Sequence, residues 1–226
     1  RIGLLYPLGG GEHEYYEVAE ASHYRMRPYL VCAALAGGES SHDPAALRQT
    51  GDIAALRNTA RSLVPLAPDA AMWACTSGSF IEGREHAQAQ AAAIAEVIGC
   101  PASSTSLAFV HSLEALAISD VGVVATYPAP TAHAFQSFLE EHGVTVKRLV
   151  HLDAPNGRAA YRIPIERKLA AGREVAGPDI GAVLIPDTAI AGMPLSVQLE
   201  PELGVPVLSA NQVTIWDAWR LAGATV

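Results

Sequence analysis

The sequence predicts an α/β protein of two similar lobes, each with a mainly parallel sheet flanked by helices. Short apolar segments alternate with longer helix-like stretches, which is the order typical of βαβ units. A linked pattern then occurs twice. An apolar strand ending in a polar cluster is followed, after a helix-like stretch, by Gly-x-Pro-x-x-Ser, first at 99–104 and again at 204–209. Two linked matches in the same order indicate a duplicated unit, so we expect lobes related by a pseudo-twofold axis, with the active site between them.

The predicted strands are the short apolar segments at 2–6, 28–33, 70–74, 121–126, 145–150, 182–186 and 205–208. Helix starts follow from capping residues, since Asp43 precedes a proline and Asp52 precedes an apolar-periodic run. The alanine-rich stretch 82–98 ends at a glycine, a common helix stop. Thr131 is expected to cap a helix that runs to residue 143.

The two lobes are assigned from the repeat. We expect residues 1–112 together with 213–226 to form the first lobe, and residues 113–212 to form the second. In this division the last helix returns to the first lobe. No low-complexity linker separates the halves, so close packing of the lobes is expected.

Composition excludes several classes of partner. The chain of 226 residues has a net charge of −8 and no basic cluster, which argues against a nucleic-acid partner. No apolar stretch approaches the length of a membrane span, and residues 1–7 resemble a first strand rather than a signal peptide. The three cysteines, at 32, 75 and 100, form no CxxC pair. Reduced thiols and a cytoplasmic location are therefore expected.

Motifs for nucleotides and metals are missing. The glycines at 9–11 precede Glu12 without a nearby lysine, which disfavours a phosphate loop. Eight histidines, at 13, 23, 42, 86, 111, 133, 142 and 151, lack ligand spacing. For each of them we expect a surface or helix-capping role, and no metal is predicted.

Cys75 and Asp187 are the candidate catalytic residues. Cys75 follows the apolar run 70–74 and opens the sequence Cys-Thr-Ser-Gly-Ser, and Asp187 follows the run 182–186 in the second copy. Parallel sheets keep their ligands at the carboxyl ends of strands. The amides and hydroxyls of residues 76–79 are expected to bind a carboxylate and to lower the pKa of the Cys75 thiol. An exposed acid at a strand end is an equally good reading of Asp187.

Several segments together resemble the aspartate/glutamate racemase superfamily, in particular its branch of maleate cis-trans isomerases and arylmalonate decarboxylases. They are 1–7 (RIGLLYP), 75–80 (CTSGSF), 123–127 (VVATY), 153–158 (DAPNGR), 204–212 (GVPVLSANQ) and 216–223 (WDAWRLAG). The resemblance implies a cofactor-independent enzyme in which cysteines add to, or exchange protons with, the carbon next to a bound carboxylate. A homodimer is suggested by the resemblance alone.

The same resemblance implies the binding residues. Thr76, Ser77 and Tyr127 would hold the carboxylate of a small substrate, with the Thr188 amide helping from the second lobe. The 153–158 and 204–212 segments add Asn156 and Asn211 as candidate substrate-binding residues.

Two departures from the family pattern keep the function open. Asp187 stands where the isomerases and decarboxylases have their second cysteine. Three glycines, at 9–11, stand where the isomerases have an asparagine after the first strand. With Cys75 as nucleophile, an isomerase of maleate-type dicarboxylates is our first interpretation. A decarboxylase with Cys75 as proton donor is the second, and an amino-acid racemase the third. A non-catalytic carboxylate-binding protein is the alternative outside enzymes.

Overall fold

The computed structural model describes residues 1–7, 10–33 and 40–224, which form two four-stranded sheets surrounded by helices. The first sheet contains β1 (Ile2–Tyr6), β2 (Pro28–Cys32), β3 (Ala70–Trp73) and β4 (Ala102–Ser104). The second contains β5 (Asp120–Ala125), β6 (Thr145–His151), β7 (Ala182–Ile185) and β8 (Val207–Ser209). Every strand pair within these two sheets is parallel.

The two sheets have equivalent strand orders. The first is ordered β2-β1-β3-β4 and the second β6-β5-β7-β8, so each strand has a counterpart at the same position of the other sheet. The Gly-x-Pro-x-x-Ser copies end with β4 and β8. This confirms the predicted architecture of two similar lobes and places the residues after β3 and β7 at equivalent sites.

Helices connect successive strands in both lobes. Those up to β5 are α1 (His13–Ala21), α2 (Pro44–Thr50), α3 (Ile53–Ala60), α4 (Thr76–Phe80), α5 (Gly83–Ile98) and α6 (Thr105–Leu116), with a 3₁₀ turn at Arg61–Leu66. Those after β5 are α7 (Ala129–Glu140), α8 (Gly157–Arg162), α9 (Ile165–Val175), α10 (Met193–Leu203) and α11 (Ala210–Leu221). Within the described ranges, no helix has the length and apolarity required to cross a bilayer.

Two of the three helix caps predicted from the sequence, Asp43 and Asp52, are confirmed, and the third, Thr131, is not. The Asp43 carboxylate accepts the amides at the start of α2, and Asp52 does the same for α3. The prediction that Thr131 caps a helix is wrong, because α7 begins two residues earlier. The Thr131 hydroxyl instead donates to the His42 carbonyl oxygen at 2.6 Å, which ties α7 to the chain between β2 and α2.

An aromatic cluster joins the lobes beneath the site. Phe80, the last residue of α4, packs against Phe135 of α7 with ring centroids 5.1 Å apart and against Tyr127 at 5.8 Å. These rings are almost fully buried and belong to a core that includes residues of both sheets. Burial of such rings stabilises by roughly 2–3 kcal/mol each, so the short helix α4 is anchored on the second lobe.

The last helix packs on the first lobe. Helix α11 lies against α6, where the Thr105 and Thr214 hydroxyls are 2.7 Å apart. The expected bounds at 112/113 and 212/213 fall inside α6 and α11. The division of the chain into lobes at these positions therefore stays a proposal.

Candidate active site

A cavity lies where the carboxyl ends of β3 and β7 meet the chain that precedes α2. About 350 Å³ is unoccupied by atoms, part of it open to solvent. The described lining residues are Pro7, Ser40, Ser41, His42, Leu47, Thr50, Cys75, Ser77, Gly157, Asp187, Thr188 and Ala189. Cys75 and Asp187 therefore reach one cavity from different sheets, as the duplicated pattern predicted.

Cys75 occupies the N-cap position of α4, directly after β3. Its sulfur accepts a hydrogen bond from the Gly78 amide at 3.3 Å and lies 3.9 Å from the Ser77 hydroxyl oxygen. The residue is 4% exposed. The strand end and the turn of α4 thus fix the thiol at the edge of the cavity.

The thiol is protonated in the resting protein. Burial raises the pKa of Cys75 to about 12, and the Asp187 charge raises it further, while the Gly78 amide and the Ser77 hydroxyl act in the lowering direction. The Gly78 amide does lower this pKa, as expected from the sequence, but burial raises it by more, so the pKa of the thiol is raised overall. The cost of placing a thiolate in this poorly hydrated position outweighs two hydrogen bonds.

The hydroxyl cluster after Cys75 separates into two groups. Ser77 lines the cavity, and the neighbouring Thr76 hydroxyl has no hydrogen-bond partner among the described residues. Ser79 points away, with its hydroxyl 2.7 Å from both the Cys75 carbonyl oxygen and the Ser106 hydroxyl. Thr76 and Ser77 are thus available to a ligand, while Ser79 stabilises the turn.

Tyr127 lies behind these hydroxyls rather than on the cavity wall. Its hydroxyl donates to the Pro186 carbonyl oxygen. Burial raises the Tyr127 pKa well above its ordinary value, as does the charge of Asp187, whereas the nearby polar groups of Thr76 and Ser77 lower it. The phenol is therefore neutral, and its proton is committed to the Pro186 oxygen.

Asp187 is buried and held on both oxygens. Oδ1 accepts the Ala189 amide at 2.9 Å, and Oδ2 accepts the Thr126 hydroxyl. These two donors suit an ionised carboxylate. The alternative reading of Asp187 as an exposed acid is wrong, since the residue is 4% exposed and lines the cavity.

His42 is the site residue that sequence reasoning missed. It is 4% exposed, contrary to the expected surface or capping role. Its Nδ1 lies 2.9 Å from the Ala154 carbonyl oxygen and its Nε2 lies 4.0 Å from Asp187 Oδ2. The ring also packs edge-on against Tyr127, with centroids 4.8 Å apart. The only sequence signal was its place just before the α2 cap, which does not reveal burial.

Thr188 and Asn156 lie near the cavity with their polar groups partly used. Thr188 lines the cavity, and its carbonyl oxygen accepts the Tyr6 hydroxyl at 2.8 Å. Asn156 is the N-cap of α8, where its Oδ1 accepts the Ala159 amide at 2.8 Å. Its neighbour Gly157, rather than Asn156, is among the described lining residues.

Asn211 has contacts that do not support the predicted role in substrate binding. Its amide nitrogen lies 2.8 Å from a Glu14 oxygen and 3.2 Å from the carbonyl oxygens of Gly11 and Thr188. Its Oδ1 accepts the Tyr15 hydroxyl at 2.9 Å. Because both ends of the amide are already bonded, Asn211 connects α11, α1 and the segment after β7 instead.

Metal ligands are not grouped in the part of the chain that the structure describes, where no three His, Cys, Asp or Glu side chains are placed to hold an ion. The chemistry available from the described lining is therefore that of a thiol, a carboxylate, an imidazole and neutral hydroxyls.

Two parallel sheets bring a thiol and a carboxylate to one cavity. This is the architecture expected from the resemblance to the maleate isomerase and arylmalonate decarboxylase branch. The chain belongs to the arylmalonate decarboxylase family, which matches residues 50–226. This confirms the branch named from the sequence.

Relatives carry two activities. The chain is 28% identical over 150 residues to arylmalonate decarboxylase of Bordetella bronchiseptica, covering 66% of this chain and 62% of that protein. It is 29% identical over 160 residues to maleate isomerase of Nocardia farcinica (strain IFM 10152), covering 68% and 64%. These matches thus span less than two thirds of each curated relative.

A solved structure shares the whole fold. It is a Nocardia farcinica maleate cis-trans isomerase variant with a covalently bound succinylcysteine intermediate, superposing with a TM-score of 0.89 at 23% identity. The alignment covers 99% of this chain and 93% of that one.

Proposed function

We propose that this protein is a cofactor-independent enzyme that isomerises a small unsaturated dicarboxylate, such as maleate, from cis to trans. The observation that carries the proposal is the meeting of Cys75 and Asp187 in one cavity, each from the equivalent strand end of a different sheet. An isomerase needs a nucleophile and a separate proton-transfer group, and both are present.

The substrate carboxylate is held by neutral donors. Thr76 and Ser77 offer hydroxyls beside Cys75, and Thr188, whose backbone amide would help to hold the anion, lines the same cavity. The described lining contains no lysine or arginine. Hydrogen bonds in a poorly hydrated cavity therefore supply most of the anion binding.

The reaction follows from these positions. The Cys75 thiol first gives its proton to solvent. The sulfur then adds to one alkene carbon, and the electron pair moves to the neighbouring carbon beside its carboxylate. A proton from the Asp187 side of the cavity completes the single bond, which rotates. Return of that proton and cleavage of the carbon–sulfur bond then give the trans alkene.

Decarboxylation of a malonate-type acid is the second candidate, and the state of the thiol favours it. With a pKa of about 12, Cys75 is a thiol at neutral pH and can donate a proton without prior activation. Loss of carbon dioxide leaves an enediolate that the hydroxyls stabilise, and Cys75 protonates it. Membership of the arylmalonate decarboxylase family also supports this reading.

The test follows maleate and phenylmalonate with the purified protein by NMR. We expect fumarate from maleate, and Cys75→Ser should abolish it while Cys32→Ser, at an exposed thiol, leaves the rate unchanged. Carbon dioxide release from phenylmalonate with no fumarate would select the decarboxylase. Turnover that survives Cys75→Ser would overturn both reactions. Protection of Cys75 from iodoacetamide by either acid, without any turnover, would instead indicate a carboxylate-binding protein.

A further inference from the structure

The tautomer of His42 is fixed by its environment. Nδ1 lies 2.9 Å from the carbonyl oxygen of Ala154, a group that only accepts hydrogen bonds. Nδ1 therefore carries a hydrogen. The backbone is held as well, since the His42 amide donates to the Pro155 oxygen at 2.9 Å and its carbonyl accepts the Thr131 hydroxyl.

The other ring nitrogen faces a carboxylate. Nε2 of His42 is 4.0 Å from Asp187 Oδ2, which is longer than a hydrogen bond but within the range of an ion pair. A neutral ring in this tautomer would turn its lone pair toward a negative charge. Because Asp187 already accepts hydrogen bonds on both oxygens, a proton shared by the pair is held better on Nε2 than on the carboxylate.

We propose that His42, and not Asp187, is the group that gives and takes the proton on the second-lobe side of the cavity, with Asp187 as its counter-charge. This inference rests on the proposed isomerase and deepens it by reassigning one role. His42 lines the cavity together with Cys75. Asp187 then acts through His42 as a positioning residue.

The proton and electron balance is complete. Cys75 first gives its thiol proton to solvent. When its sulfur bonds to one alkene carbon, the electron pair at the neighbouring carbon takes the proton from His42 Nε2, which leaves a neutral ring. After rotation, Nε2 takes the same proton back, the carbon–sulfur bond breaks, and the released thiolate regains a proton from solvent. No other reactant is consumed.

Other titratable groups around the pair are few. Cys75 lines the same cavity, and Tyr127 packs edge-on against the ring as a neutral phenol. Asp187 also interacts electrostatically with the buried Lys168 and the buried Tyr6. The Lys168 ammonium donates to the Tyr161 carbonyl oxygen at 3.4 Å, and the Tyr6 hydroxyl donates to the Thr188 carbonyl oxygen. Neither residue is among the described lining residues, so His42 is the group beside Asp187 that faces the cavity.

The first test locates the proton without using a substrate. ¹⁵N NMR of the histidine rings at neutral pH is assigned by the signals that disappear in His42→Asn. We expect both nitrogens of His42 to be protonated in the unaltered protein, and only Nδ1 in Asp187→Asn. An unprotonated Nε2 in the unaltered protein overturns the proposal, whether or not Asp187→Asn folds. If Asp187→Asn folds and both nitrogens of His42 remain protonated in it, the proposal is overturned as well.

The second test measures turnover of maleate. His42→Asn keeps an amide donor for the Ala154 oxygen but lacks Nε2, so we expect kcat to fall on the order of 10²-fold or more, with little change in KM. The Cys75 adduct should not accumulate, as checked by mass spectrometry, because addition without this proton donor leaves a carbanion that expels the thiolate again. The control is His133→Asn on the exposed face of α7, which should keep full activity.

Equal kcat values for His42→Asn and the control would overturn the inference. Absence of maleate turnover in the unaltered protein would instead refute the proposed isomerase, and the NMR result would still decide where the proton lies. The two failures are thereby distinguished.

Discussion

Gly51 packs directly against the carbonyl oxygen of Gly78, the residue whose amide donates to the Cys75 sulfur. Gln90 joins the same two residues, since its side-chain amide donates to the Gly51 oxygen at 2.7 Å and the Gly78 oxygen at 2.9 Å. The turn between α2 and α3 therefore supports the position of the thiol from behind.

Gly51→Ala should destabilise the protein by about 1–3 kcal/mol, because the added Cβ meets backbone that cannot yield easily. Urea denaturation measures the change. The control is Gly177→Ala, whose new Cβ meets only the guanidinium of Arg148, a flexible side chain. A loss no larger than that of Gly177→Ala would show that α4 shifts freely, and that Gly51 does not position Cys75.

Alkylation of Cys75 should rise tenfold per pH unit from pH 7 to 10 without a plateau. With a pKa of about 12, the thiolate is only about 10⁻⁵ of the population at pH 7. Peptide mapping after brief iodoacetamide treatment measures the rate, with the exposed Cys32 as internal reference. A plateau near pH 8 in the unliganded protein would contradict the burial argument.

The same pKa makes a prediction for stability. A folded pKa above the unfolded value of about 8.5 means that the unfolded chain loses this proton first as pH rises. The contribution of Cys75 to the free energy of unfolding is therefore complete below about pH 8.5 and is lost as pH approaches 12. Cys75→Ser should remove this part of the alkaline dependence.

The sequence was sufficient for every described strand except β4 (Ala102–Ser104), and for the meeting of Cys75 and Asp187 at one cavity. Both depend on local pattern, because an apolar strand followed by a polar turn is recognisable twice, and equivalent strands place their ends at equivalent points. The Asp43 and Asp52 caps were predictable for the same reason, since capping is a contact within a few residues.

The remaining site residues depend on contacts between distant segments. His42 is buried only because the chain before α2 crosses to the 154–157 segment, which no local pattern encodes. Thr131 bonds to that crossing segment rather than to its own helix. The net pKa of Cys75 was also out of reach, since the effect of nearby amides can be read locally while the degree of burial cannot.

Asp217→Asn should weaken the protein at neutral pH and less so in acid. Burial raises the Asp217 pKa, but the hydrogen bonds and charge of His111 and the hydrogen bonds from Arg220 outweigh it and lower the pKa overall. A lowered folded pKa contributes stability above the unfolded value of about 3.9 and loses it as pH falls. We expect a cost of about 2–3 kcal/mol at pH 7 and a smaller one below pH 4, measured by urea denaturation. Asp153→Asn, an exposed site, should show neither effect; an equal cost at both pH values would contradict the role of the charge.

Asn211→Ala should destabilise the protein more than an alanine substitution at any exposed asparagine, because the Asn211 side-chain amide connects three segments. The change leaves the buried Glu14 carboxylate without its 2.8 Å donor and the Tyr15 hydroxyl without its acceptor. Burial already raises the Glu14 pKa, so removal of a stabilising hydrogen bond makes the charged form costlier still. We expect a loss of about 2–4 kcal/mol in the free energy of unfolding, measured by urea denaturation.

The control is Asn58→Ala, at an exposed position on α3, which should lose less than about 0.5 kcal/mol. If Asn211→Ala kept its stability and instead raised KM for a dicarboxylate, the residue would bind substrate, as the sequence first predicted.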